Sequence, residues 1–288
     1  MGSIATEIEE QLKLLKDRGL IINDDQKAKE ILLDIGYYRL GFYWFYFQDE
    51  ESHNFEEDID LDEIVELYYF DFDIKMLLLR YIYRIEVHFR TQLVYHVSNY
   101  YKSNNCWYSD PKIVNSVILK EFNEIYYNLK TKNKTLIKHH DKYPSDYAPA
   151  WKVFEYFTFG QVFMIFNNLK NVELKKNIAG VYGFRDVELL NNYIISIINI
   201  RNICSHNGVL FDFNQPIGIK RIPNQKYRLK TSNTTNINAS IRLILFILSK
   251  VSLNRTNELE QKLIDTFKEG KQKKLVKRII TDKIKFDL

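Results

Sequence analysis

Breakers of regular structure are scarce in this chain. Ten glycines and five prolines make up about 5% of the residues, against roughly 12% in an average protein. That shortage leaves room for long helices and little for a turn-rich β-sandwich. Cysteine is scarcer still. Cys106 and Cys204 cannot build a disulfide framework or a four-thiolate zinc site. No charged-then-apolar leader opens the sequence, so a reducing cytoplasm is the expected compartment. Long apolar runs are missing as well. The richest, Tyr193–Ile200 and Ile241–Leu253, fall short of the roughly 18 residues a membrane span needs, and Arg242 and Lys250 interrupt the second. Both read as buried helices, and no membrane partner is expected.

What is present is a folded, ring-rich composition. Hydrophobic residues at 45% and charged residues at 27% exclude disorder over most of the chain. Aromatics reach 15%, with 20 Tyr and 19 Phe, so many rings must enter the core and their hydroxyls need partners. The net charge is only +4, but it is unevenly spread. Asp49–Glu63 holds nine acids and no Lys or Arg, and 268–288 holds eight basic residues and three acids. Such a tail suits phosphates or, more plainly, a solvated helix face.

The apolar spacing predicts a mostly α protein. Residues 4–35 read as two helices broken at Gly19, with Asp24-Asp25 capping the second. The glycine-bearing aromatic block Ile35–Trp44 reads as a tight turn packed into the core. From Asp62 to about Tyr101 an apolar stripe (Ile64, Leu67, Tyr68, Phe72, Met76, Leu79, Ile82, Ile85, Phe89, Leu93, Val97) predicts one or two long helices. Residues 129–149 read as a Lys-, Asn- and His-rich loop, with His139 and His140 in water. Trp151–Leu169 and Leu189–Ser205 resume helical spacing, and Asn207-Gly208 is a stop signal. Residues 211–238 look like an irregular arm or a short hairpin at Pro223-Asn224, and helices follow from about Ala239 to Ser252 and from Asn257 to Ile280. The expected division is an N-terminal segment, 1–60, and a helical domain, 61–288, with insertions near 129–149 and 211–238.

No P-loop, Rossmann fingerprint, His-Glu-x-x-His, zinc-finger spacing or Gly-x-Ser-x-Gly elbow occurs. What remains is Arg201-Asn202-Ile203-Cys204-Ser205-His206 at the end of an apolar helix. An imidazole titrates near neutrality and can shuttle the proton of a ribose 2′-hydroxyl or of a leaving oxygen. A guanidinium can neutralise the charge that develops on phosphorus. Asn202 lies four residues before His206, on the same helix face, where its amide could orient the ring. The bare Arg-x4–6-His spacing is weak, because about 0.75 occurrences are expected by chance and two occur, Arg201/His206 and Arg90/His96.

Four blocks add context in order along the chain. Leu32-x-x-Ile-Gly-Tyr-Tyr-Arg-Leu-Gly-Phe-Tyr43, Arg84-Ile-Glu-Val-His-Phe-Arg90-Thr-Gln92, Pro149-Ala-Trp-x-x-x-Glu155-x-x-Thr-Phe-Gly160 and Arg201-Asn-x-Cys-Ser-His206 resemble the abortive-infection family of Abi-like proteins. That family is grouped with the HEPN superfamily. The resemblance implies a HEPN-like helical bundle with additional N-terminal helices. It also implies a metal-independent endoribonuclease without cofactor, acting as a toxin or phage-defence effector, active as a homodimer and controlled by a small noncoding RNA. Arg201, His206 and Asn202 would be catalytic, with Glu86 and Arg90 in support and His88 or His96 as weaker candidates. RNA would meet Lys134, Lys138, Lys142, Lys273, Lys274, Lys277 and Arg278. Just after His206 the chain departs from the family, with Asn207–Asp212 standing where a His, an Arg and a Trp-Asn often follow. The alternatives are a non-catalytic RNA-binding helical module and a protein-interaction module.

Overall fold

The computed structural model describes residues 5–206, 208–230 and 232–287. Among them are thirteen α-helices and no strand. The N-terminal pair is α1 (Ile8–Asp17) and α2 (Asp25–Asp34), with Asp24 capping α2 by accepting from the Lys27 N–H at 3.1 Å. The aromatic block is not a turn but a helix, α3 (Tyr37–Trp44). Gly36 takes φ +94, a conformation other residues rarely adopt, and so sets the angle at which α3 leaves α2.

The centre of the molecule is α4 (Leu61–Tyr100), 40 unbroken residues, about 60 Å at 1.5 Å per residue. Its buried side is Ile64, Leu67, Ile74, Leu78, Ile82, Ile85, Phe89, Leu93 and Val97. In the first half the buried face is offset from the stripe read in the sequence. Phe72 and Met76 face water, and Asp71 and Lys75 lie inside.

The expected loop at 129–149 is largely helical. α5 (Ser116–Lys132) and α6 (Lys134–Lys142) flank Asn133, whose side chain accepts from the Thr135 and Leu136 N–H groups. Leu136 and His139 turn inward, giving α6 an inner face that Lys and Asn content alone does not reveal. The Trp151–Leu169 segment divides into α7 (Ala150–Val153), a short 3-10 turn and α8 (Phe159–Asn167), because Thr158 and Gln161 form a reciprocal capping box that starts a new helix. α9 (Val172–Val181) leads into α10 (Val187–Ser205), and among the described residues of the irregular arm that follows there is no strand and no hairpin. α11 (Ile237–Val251), α12 (Leu253–Gly270) and α13 (Lys274–Ile279), with a π-helical turn at Ile280–Ile284, complete the chain. Helices α3, α9, α10, α11, α12 and α13 all pack on α4. One core runs from Leu12 to Ile284.

Candidate functional site at the end of α10

Helix α10 begins at Asp186, whose carboxylate accepts from the Glu188 N–H at 2.8 Å. Its apolar residues Leu190, Tyr193, Ile194, Ile197 and Ile200 are buried. In the last turn the pattern splits: Cys204 continues inward, Arg201 is half-buried, and Asn202 and Ser205 point outward. The Arg201 guanidinium reaches Asn202 Oδ1 and Ser205 Oγ, each at 3.3 Å. Ser205 Oγ in turn donates to the Arg201 carbonyl at 2.9 Å. The guanidinium is therefore tied down by its own turn.

His206 is the C-cap. Its N–H bonds the Asn202 carbonyl at 3.0 Å, but its backbone is extended, with φ −113 and ψ −179. The extended backbone carries the side chain off the helical register, so the Asn202 amide holds Arg201 rather than the imidazole. The ring is exposed, and among the described residues it meets no hydrogen-bond partner. Asn207 lies outside the described residues.

The chain after His206 is fixed from beneath by α4. Asp71 Oδ1 accepts the Leu210 and Phe211 N–H groups at 2.9 and 3.2 Å. Its Oδ2 accepts the Tyr43 hydroxyl at 3.0 Å and lies 2.5 Å from Lys75 Nζ. All three side chains are buried. Burial pushes the Asp71 carboxyl up, and Lys75 and the hydrogen bonds pull against it. Burial, with the Asp71 charge adding to it, pushes the Cys204 thiol up to about 12, so Cys204 is a neutral core residue and not a nucleophile. Asp71 and Lys75 went unread in the sequence. The available signal was two charges at i and i+4 on the same helical face as Leu67, Ile74 and Leu78.

Glu86 and Arg90 do not join this site. Arg90 lies nineteen residues beyond Asp71 on α4, about 28 Å along the axis. It pairs with buried Glu86 at 2.8 Å and donates to the Phe157 carbonyl at 3.0 Å, holding the break before α8. With Thr91, Tyr95, Trp151 and Glu155 it lines a separate cleft of about 340 Å³. The second and third sequence blocks thus meet at one place, and the first and fourth at another.

The other candidates are scattered. The His88 ring bonds the Tyr182 hydroxyl at 2.9 Å, and burial, with Arg84 nearby, lowers its pKa. His96 packs edge-on against Tyr95. His139 is buried, with Nδ1 3.2 Å from Lys152 Nζ, and His140 Nε2 is 2.7 Å from the Tyr126 hydroxyl. Burial lowers both pKa values, so neither is the solvated group read from the sequence. Lys134 and Lys138 stand exposed on α6, and Lys142 lies over the Tyr143 ring. The basic tail is already occupied by the acidic stretch and the start of α4. Arg278 grips Glu56 at 2.5 and 2.9 Å, Lys274 approaches Glu63 at 3.5 Å, and Lys273 approaches Glu66 at 3.7 Å. Of the four tail residues expected to meet RNA, Lys277 alone has no ion pair among the described residues.

Among the described residues no group of three or more His, Cys, Asp or Glu side chains is placed to hold a metal ion, and no helix is long and apolar enough to cross a membrane. Neither a curated protein nor a solved structure matches the chain. The pattern of the family described as Abi-like protein matches residues 30–212, a span that contains all four blocks, Asp71, Lys75 and the turn they anchor. The chain belongs to the Abi-like protein family.

Proposed function

We propose that the chain is a metal-independent endoribonuclease of the HEPN type, serving as a toxin or abortive-infection effector. The observation that carries this reading is the last turn of α10, where a guanidinium held in place stands just over one turn before an exposed imidazole that meets no hydrogen-bond partner among the described residues. In the reaction the ribose 2′-oxygen attacks the adjacent phosphorus. The bond from phosphorus to the 5′-oxygen breaks, leaving a 2′,3′-cyclic phosphate and a 5′-hydroxyl. One proton must leave the 2′-oxygen and another must reach the 5′-oxygen. Arg201 balances the charge on phosphorus, His206 carries a proton, and Asn202 positions Arg201.

A single imidazole cannot be base and acid in the same step. The second comes from His206 of another copy, which makes the working unit a homodimer. Lys134 and Lys138 on α6 supply phosphate contacts. Control by a small noncoding RNA follows from the resemblance and would be seen as an RNA that copurifies with the protein.

The test is cleavage of RNA in EDTA by wild type and by His206→Ala, with fragment ends mapped after bound nucleic acid is stripped. Cutting that leaves cyclic phosphate and vanishes in the variant is the expected result. Ends bearing 3′-hydroxyl, or cutting that needs added magnesium, would overturn it. Retained RNA affinity without cutting by either protein would favour the non-catalytic RNA-binding module.

A further inference from the structure

Beside the motif turn lies a cleft of about 680 Å³, within the range typical of small-molecule sites. One wall is the outer side of α3 and its exit, with Tyr38, Phe42 and Phe45. The other is Ile203 and Gly208, which bracket His206 in the chain. α3 sends Tyr43 and Trp44 to the core and leaves Tyr38 and Phe42, and Phe45 just beyond its end, with 79%, 42% and 53% of their surface open. Three large rings left in water on so short a stretch are an apolar surface that calls for an occupant. The cleft also has a polar edge. Arg18, Gln48 and Asp212 line it beside the rings, and their side chains can both donate and accept hydrogen bonds.

We infer that this cleft is a nucleobase subsite, which takes an unpaired base of the RNA strand next to the scissile phosphate. The inference rests on the ribonuclease reading of Arg201 and His206, since Ile203, which lies between them in the chain, lines the cleft. A nucleobase matches both features of the site. Its flat faces suit Phe42 and Tyr38, and its edge donors and acceptors suit the polar residues that line the same cleft, Arg18, Gln48 and Asp212. A base can enter only when it is unstacked and unpaired, so the substrate class is single-stranded RNA rather than duplex.

The experiment measures affinity for a short fluorescein-labelled single-stranded oligoribonucleotide in the His206→Ala background, where turnover does not interfere. Phe42→Ala should weaken binding roughly tenfold, with far-UV dichroism unchanged because the ring is exposed. On protein with the cleft intact, moving one abasic residue along the strand should weaken binding at one position only, and Phe42→Ala should erase that position dependence. The same sequence as a duplex should bind more weakly than the strand. Unchanged affinity in Phe42→Ala, or indifference to every abasic position, overturns the subsite. So does a shift from dimer to monomer with affinity per chain preserved, because the rings would then belong to the contact between copies. Binding that follows Phe42 without any cleavage by wild type would sink the ribonuclease reading and leave the base site standing. Cleavage that depends on His206 but ignores Phe42 would do the reverse.

Discussion

A carboxylate shut away from water must find donors, and Asp71 finds four: Lys75, Tyr43 and the backbone of Leu210 and Phe211. Removing it leaves the Lys75 charge buried and the two N–H groups unmet. Asp71→Ala should therefore cost about 3–5 kcal/mol of stability, read from the urea midpoint. Replacing Asp71 and Lys75 together by Leu and Met should recover part of that loss. It should not recover activity, because the turn after His206 would still lack its anchor. Cys204 allows a chemical check. With its thiol pushed up to about 12 and buried, it should resist iodoacetamide at neutral pH until the protein is unfolded, while half-buried Cys106 should react slowly in the native state. At this scale the sequence was partly readable. Arg201 and His206 stand in a local pattern, but the residue that anchors the chain just after them, Asp71, is far away in the sequence and carries no motif of its own.

Among the elements, α4 was legible in extent, because forty residues without Gly or Pro and with steady apolar spacing have few alternatives. Its facing was not fully legible, since period alone would bury Phe72 and Met76, and only the tertiary partners of Asp71 and Lys75 turn that half of the helix. α3 was misread because glycine usually signals a turn. Gly36 does mark the turn, but Gly41 sits inside the helix, with its Cβ position 3.8 Å from the Trp44 ring. At the other end of the chain, glycine is a packing requirement. A Cβ at Gly270 would stand 2.7 Å from the Phe70 ring and 3.0 Å from Val276, where the close of α12 meets α4. Gly270→Ala should destabilise the protein by roughly 1–3 kcal/mol through overpacking, measured by thermal or urea unfolding.

For the molecule as a whole, pH and salt act through different groups. His88, His139 and His140 all have pKa values lowered by burial, so the unfolded chain binds protons more readily than the folded one. Their contribution is complete above the unfolded value of about 6.5 and is lost as pH falls below it. The urea midpoint should drop between pH 7.5 and 5.5, and His88→Gln should flatten the slope. The ties between the acidic stretch and the basic tail are exposed and worth at most about 1 kcal/mol each, so Glu56→Gln should shift stability only slightly. Their consequence lies in binding. If the chain binds RNA as proposed, neutralising Lys273 and Lys274 should leave the affinity nearly unchanged, whereas neutralising Lys134 and Lys138 should weaken it and lower the salt slope by about one per lost phosphate contact. The bond from Asp71 to the turn also orders events during synthesis. The ribosome finishes α4 long before it reaches Leu210, 139 residues after Asp71. The anchor is therefore ready early, and the turn can set only when most of the chain has been made. A truncated product ending before Leu210 would carry the buried Asp71 and Lys75 without the two backbone donors that the finished chain brings to them, so a partial chain should be less stable than its length alone suggests.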